Sequence, residues 1–477
     1  MKYIKIILKI ISVLLLTLTI VIVVFFAIDS NKTAYLEIKN NPDLNRNSYL
    51  ITNINIVPMT KDTLLTGKTV LVRNGIIEHI GDSVTMEGVA IIDGENKFLS
   101  PGLIDMHTHV WDKEELGLYL ANGVTSIRNL WGYSMHLRIK KNLENHEIIG
   151  PNLFTSSPKL TSAKDLGDDK VQVHSQKEAK ELVVAYKKRG FDFIKIYAGI
   201  EVDIYQAVLE QAVASNISIV AHPSREFSYL SQFHSQIASI EHAEEIVQQG
   251  LSYQLDSLKL APIIEKFVST KKSFCPTLTG YFKIYEMLEE DNSILNLSLI
   301  NYINPLIQMV DSKEQYNRWA TEKEHNSAIA ENIYKQHQFH LYIVKRMHEE
   351  GVTIVCGTDA GIGITAPGFS IHQELMFYKE AGMSNFEVLK TATINPSKTH
   401  KEFANMGSIE KGKLANFVIT TNNPLLDFSE LSKPEWIMMN GRKIDKKTLN
   451  SFKEHALYRN NMVVTALRYL EYLLVEK

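Results

Sequence analysis

The chain is poor in cysteine and close to electrical balance, and each shortage removes a class of function. Its 477 residues include only two cysteines, Cys275 and Cys356, both inside apolar strand-like runs. Such a pair reads as buried thiols, and supports neither a disulfide framework nor a zinc knuckle. The formal net charge of -3 lacks the basic excess that would point to nucleic acid or an acidic surface as partner. Long apolar runs are also scarce, with one exception at the N-terminus. Residues 10–28 carry no charge, and their only polar members are Ser12, Thr17 and Thr19.

Lys2, Lys5 and Lys9 precede that run. Signal-peptide cores span about 7–15 residues and membrane-crossing helices about 20. A small-x-small cleavage site is missing, because Phe25 stands at the -3 position of a cut after Ala27. There is no lipobox cysteine either. Residues 1–29 are therefore expected to be an uncleaved membrane anchor. The flanking lysines place the N-terminus in the cytoplasm and the body outside, periplasmic or external. Export followed by signal cleavage is the alternative.

What is present is ordinary globular composition, 45% hydrophobic and 22% charged, enough for one large domain and a smaller one. Residues 30–48 are polar, with an Asn41-Pro42 break, and read as a tether. Residues 49–100 hold short strand-like runs and a hairpin signal at Asn74-Gly75. From Leu103 onward, short apolar runs alternate with helical segments. Eight strands can be counted, near 103–109, 124–130, 152–156, 193–197, 217–222, 237–242, 273–278 and 352–357. Strict β–α alternation implies a parallel sheet, and eight repeats predict an α/β (β/α)8 TIM barrel over residues 101–400.

A polar helical insertion at about 280–338 follows the seventh strand and carries Tyr281, Tyr285, Tyr302, Tyr316 and Trp319. It falls on the face where barrel active sites sit, and is either extra packing or a lid that shapes specificity. Residues 401–447 return to strand character and can complete one small β-sandwich with residues 49–100. Residues 448–477 have helical spacing at Leu457, Val464, Leu467, Leu470 and Leu474. That helix packs on the body, on a membrane surface or against a second copy in a homo-oligomer.

The chemistry concentrates at strand ends. His107 and His109 alternate onto one face of strand one and could grip one metal ion. Alone, such a pair is more often two polar residues near water. In Phe193-Ile194-Lys195-Ile196-Tyr197, the isoleucines fit the helix side, so Lys195 points into the barrel. A lone buried ammonium costs several kcal/mol unless neutralised or paired. Its amine is then reactive, and carboxylation by CO2 gives an anion able to bridge two cations; pairing with a carboxylate is the bland alternative. Strand five ends in His222, strand six in His242, and strand eight runs into Gly357-Thr358-Asp359-Ala360. Each His alone reads as a hydrogen-bonded core residue, and Asp359 alone as a turn or helix-cap residue. All six at C-terminal strand ends would be an unlikely coincidence.

With these residues in view, the chain resembles the amidohydrolase superfamily. Pro101-Gly102-Leu103-Ile104-Asp105-Met106-His107-Thr108-His109 resembles its strand-one signature. Phe193-Ile194-Lys195-Ile196, Ala221-His222, Ile240-Glu241-His242 and Gly357-Thr358-Asp359-Ala360 are similar to its later ligand motifs, in order. Residues 407–418 resemble its return to the flanking sandwich, with Asn416 where the family usually has Asp. The resemblance covers roughly residues 49–445. The strand-four lysine and the Gly-Thr-Asp-Ala motif look like the imidazolonepropionase-related, prolidase-like branch. Imidazolonepropionases lack that lysine, so Lys195 favours the dipeptidase side.

The resemblance implies that His107, His109 and Asp359 hold one divalent metal and His222 and His242 a second, with carboxylated Lys195 bridging. Nitrogen and oxygen ligands suit Zn²⁺, with Mn²⁺ or Co²⁺ as alternatives. It further implies a metal-activated hydroxide as nucleophile and Asp359 as the proton carrier. The expected substrate is a small molecule, a dipeptide or cyclic amide cleaved at its C–N bond. Hydrolysis of esters, lactones or organophosphates is the alternative, a deaminase is less favoured, and a non-catalytic scaffold is the reading from a different class. Substrate-binding candidates are Tyr197, two residues past Lys195, Arg225 and Tyr229 after strand five, and His136 after strand two.

Overall fold

The computed structural model describes residues 2–84, 86–162 and 167–477. Seven parallel strands follow one another around a barrel: Leu103–Thr108, Val124–Asn129, Asn152–Thr161, Phe193–Ile196, Ser218–Ala221, Ile237–Glu241 and Ser273–Cys275. Residues 352–358 form the eighth stave without regular strand geometry. Phe274 N–H donates to Thr353 O (2.9 Å), Val355 N–H to Phe274 O (2.9 Å) and Met106 N–H to Cys356 O (2.8 Å). Parallel bridges Phe274–Ile354 and Thr108–Ala360 complete the near-closure.

The alternation of each strand sorts its side chains. Ile194 and Ile196 join the core shared with the surrounding helices. Phe193 packs inside with Ile104, Met106, Leu130, Val220, Cys275 and Val355. Each such side chain contributes roughly 1.5–3 kcal/mol through burial. Both cysteines are buried free thiols, as expected. Strand three runs on to Thr161, beyond its expected end at residue 156, and pairs with an extra short strand, Lys170–Gln172.

The flanking element is one hydrogen-bonded sheet of eight strands drawn from both ends of the barrel region. Phe98–Pro101 pairs antiparallel with Phe417–Thr420 and joins the halves. Ile51, Ile54, Val70 and Ile77 share one core with Phe417, Ile419 and Met438. At the hairpin, Asn74 and Gly75 both have left-handed backbones (φ 50° and 79°), as a tight turn of matching twist requires. A Cβ on Gly75 would also meet Asn440 O at 2.8 Å. Asn416 Oδ1 accepts from Asn440 N–H (2.7 Å), so its departure from Asp acts within this sheet.

Two expectations at the ends need correction. Residues 30–48 are not a free tether. The N-terminal helix, Lys2–Lys32, is followed by three 3₁₀ turns whose Leu36, Ile38 and Leu44 are buried in the barrel-side core. Ile38 N–H donates to Glu147 O and Ile149 N–H to Leu36 O, pinning the segment down. Its three apolar anchors are irregularly spaced, which is why the stretch reads as polar linker. The C-terminal segment is two helices, Lys446–Leu457 and Met462–Glu476, with Asp445 capping the first. Among the described residues one helix is long and apolar enough to cross a membrane: Tyr3–Lys32, with mean hydropathy 3.1 and an apolar stretch that is unburied.

Candidate active site

The six expected strand-end residues converge at the C-terminal mouth of the barrel. The His107 ring centre lies 5.5 Å from that of His109 and 4.8 Å from that of His242; His242 and His222 are 4.6 Å apart. Asp359 Oδ1 lies 2.9 Å from His109 Nε2 and 3.3 Å from His107 Nε2. Donor atoms of His107, His242 and Asp359 fall within 4.8 Å of one another.

Backbone irregularities bring these side chains together. Between Asp105 and Thr108 the pairing with strand two slips, from Asp105–Ile127 to Thr108–Asn129, an extra residue on strand one. Met106 therefore packs in the barrel interior while His107, next to it, also turns inward. On strand six, alternation would place Glu241 and His242 on opposite faces. His242 has φ 70°, ψ 110°, a left-handed conformation uncommon outside functional sites, and both residues reach the interior. Asp359 also has positive φ (60°).

Lys195 is 1% exposed, and its Nζ has no hydrogen-bond partner among the described residues. Burial lowers its pKa to about 8, with Glu241 opposing the shift and Lys159 adding to it. Burial likewise holds the imidazoles neutral: His242 is lowered to about 3 and His107 well below its usual value. Burial alone would raise Asp359, but its close contact with His107 and the hydrogen bond with His109 outweigh it and keep the carboxyl well below the usual range.

A ring of acceptors behind the histidines was not anticipated from sequence. Glu241 Oε2 lies 2.8 Å from His107 Nδ1, Thr277 Oγ1 2.8 Å from His242 Nδ1, and Glu245 Oε1 3.0 Å from His222 Nε2. Each leaves the opposite ring nitrogen facing the cluster, the arrangement that fixes tautomer and ring angle in metal-binding histidines. Glu241 is paired with fully buried Arg128 (2.9 Å), which also bonds Met106 O and Ser239 Oγ. The only sequence signal for Glu241 was its adjacency to His242. The donor set, neutral nitrogens with one ionised carboxylate and an unpartnered lysine amine, fits divalent cations of the Zn²⁺ type.

The substrate candidates separate. Tyr197 belongs to the site, its ring 4.5 Å from that of His222. Arg225 pairs with Glu245 (3.0 Å) and so touches His222 at one remove, with its side chain 53% exposed. Tyr229 is buried against Phe233 and Gly250. His136 caps its own helix: Nδ1 accepts from Tyr133 N–H and Nε2 donates to Val110 O, so both nitrogens are committed. A cavity of about 120 Å³ extends from His242 and Asp359 to Tyr281, Lys283, Ile284, Met287 and Gln315 of the insertion.

Fold and site together define a barrel protein of the α/β class with a nitrogen- and oxygen-donor centre at its C-terminal mouth. Residues 98–443 match the Amidohydrolase family, and the chain belongs to that family. In structure it is similar to a bottromycin amidohydrolase (TM-score 0.71, 19% identity, 89% of this chain and 92% of that one). It is also similar to a putative prolidase from Bifidobacterium longum (0.64, 22%, 86% and 98%). In sequence it is 40% identical over 87 residues to a dihydroorotase of Carboxydothermus hydrogenoformans. That match spans 16% of this chain and only 20% of the dihydroorotase.

Proposed function

We propose that this chain is a metal-dependent hydrolase that cleaves a C–N amide bond of a small substrate, a dipeptide or a cyclic amide. Residues 1–29 would anchor it with the barrel outside the cytoplasm. The observation that carries the reading is Lys195, a buried amine with no hydrogen-bond partner among the described residues, ringed by four histidines and Asp359. Membership of the amidohydrolase family supports hydrolysis at C–N bonds. His107, His109 and Asp359 would hold one divalent cation and His222 and His242 a second, with carboxylated Lys195 as shared ligand. Such cations polarise a carbonyl and bring the pKa of water towards neutrality.

The chain's own groups supply the rest. Asp359, held ionised between His107 and His109, accepts a proton from the attacking water and returns it to the leaving amine. Glu241, Thr277 and Glu245 fix the imidazole tautomers. Burial opposes ionisation of Glu245, but His222 and then Arg225 outweigh it and keep the carboxyl pKa low, and Glu245 in turn positions His222. Tyr197 and the cavity under the insertion bound the space for substrate.

The test pairs metal analysis of purified protein with a substrate panel. About two divalent ions per chain are expected, the complement of a bridged centre; one or none sinks that centre. Turnover of dipeptides or cyclic amides over lactones, esters and phosphotriesters supports the amide reading. The reverse preference replaces it with ester or lactone hydrolysis.

A further inference from the structure

The last helix, Met462–Glu476, is turned inside out for a helix on a water-facing surface. Its exposed residues are Val463, Ala466, Leu470, Leu474 and Val475, all apolar. Leu474 is 76% exposed and Leu470 49%. Its three charged side chains are all paired, two with the barrel region and one with the N-terminal helix. Arg468 pairs with Asp29 (2.5 Å), Glu471 with Arg138 (2.6 Å) and Glu476 with Arg189 (2.5 Å). Buried Tyr472 and Val464 complete the inward face. A helix in water does the opposite, keeping charge outward and apolar residues inward.

The location of the helix says what covers it. Arg468 meets the root of the N-terminal apolar helix, pairing with Asp29 and lying 5.9 Å from the Phe26 ring centre. Lys32 Nζ donates to Asn460 O (3.4 Å), just before the C-terminal helix begins. The contacts sit at the last two turns of the apolar helix, so the outward apolar stripe starts where that helix leaves the body. We infer that the Val463–Leu470–Leu474 stripe lies in the headgroup region of a lipid bilayer, as a second contact holding the barrel against the membrane. Leucine and valine enter the acyl boundary, and Lys32 and Lys477 stay at the polar level. A single spanning helix leaves the body free to swing; a second contact fixes which side of the barrel faces lipid.

The inference rests on the anchor reading of residues 1–29, and the experiment separates the two. Full-length Leu474→Cys and Leu15→Cys variants carry a polarity-sensitive fluorophore; the native thiols are buried and do not compete for label. Both are reconstituted into phosphatidylcholine–phosphatidylglycerol vesicles bearing nitroxide on the acyl chain close to the headgroup. The label at 474 should shift to the blue and be quenched about twofold, as a residue 5–10 Å into the boundary is. Quenching at 15 without quenching at 474 overturns the inference and leaves the anchor standing. Quenching at neither site overturns both. A label at 474 that is shielded from water, unquenched by lipid and accompanied by a dimeric mass assigns the stripe to a second copy, and overturns the lipid inference.

Discussion

Lys195 concentrates the chemistry of the site in one amine. Its pKa near 8, against 10.5 for an ordinary lysine, follows first from burial. The folded value lies below the unfolded one, so the folded chain disfavours the ammonium. Stability contributed by this group in metal-free protein rises with pH between about 8 and about 10.5. In the proposed carboxylation the neutral amine would attack CO2, lose a proton and become a carbamate anion. Carbamate in metal-free protein should therefore increase as pH rises through about 8, read as a ¹³C signal from labelled bicarbonate. A signal that persists in Lys195→Ala, or that is flat with pH, refutes the assignment. Lys195→Ala should also lose metal and activity, with partial rescue by small carboxylic acids. The lysine was legible because Ile194 and Ile196 mark the outer face. Glu241 was not, because alternation sends it away from His242, and the left-handed backbone that reunites them leaves no mark in the residue types. Glu241→Gln should cost about 3–5 kcal/mol, the cost of stranding the buried Arg128 charge. Denaturant titration measures it, and a loss below about 1 kcal/mol would show that Arg128 has adequate other partners.

Among the elements, the seven barrel strands follow from their periodicity, whereas the break between the two C-terminal helices and the elements fixed by tertiary contact do not. Seven barrel strands match their apolar runs, whereas the eighth stave packs Val352, Ile354 and Val355 in the core but pairs with its neighbours through isolated bridges and not a continuous ladder. The bulge in strand one is likewise a pairing feature, invisible in Leu103-Ile104-Asp105-Met106. Residues 30–48 read as a tether because Leu36, Ile38 and Leu44 have no helical or strand period. The insertion, ambiguous in sequence between packing and lid, places Ile284 and Met287 in the cavity that opens on His242 and Asp359. Filling that space should discriminate by substrate size. Ile284→Trp is expected to lower kcat/KM for bulky substrates at least tenfold more than for the smallest, a difference of about 1.4 kcal/mol in the transition state. Parallel losses for all substrates would assign the insertion to packing alone.

At the scale of the molecule, the site ties together strands that are far apart in sequence: His107 to Glu241, Asp359 to His109, and residues 352–358 to strand one. The root of the N-terminal helix is joined to the C-terminal helix through Asp29 and Arg468. Protein from the membrane fraction should retain residues 1–28 by mass spectrometry; a start near Asp29 would mean a cleaved signal. Removing metal tests the unity of the barrel more directly. A ligand that binds only the folded state stabilises it by RT ln(1 + [L]/Kd), about 2.7 kcal/mol at a hundredfold excess over Kd. Chelation takes that away and leaves Lys195 without a partner in a buried cluster. Calorimetry should show the melting temperature falling on chelation, recovering with Zn²⁺, and hardly responding in Lys195→Ala. The order of loss matters as well. If the staves close around the centre, the chelated protein melts in one transition at lower temperature. If the eighth stave and the insertion open first, a separate low-temperature transition appears, and Ile284→Trp moves it without moving the main one. A melting temperature indifferent to chelator and metal would mean that the cluster closes the barrel by hydrogen bonds alone.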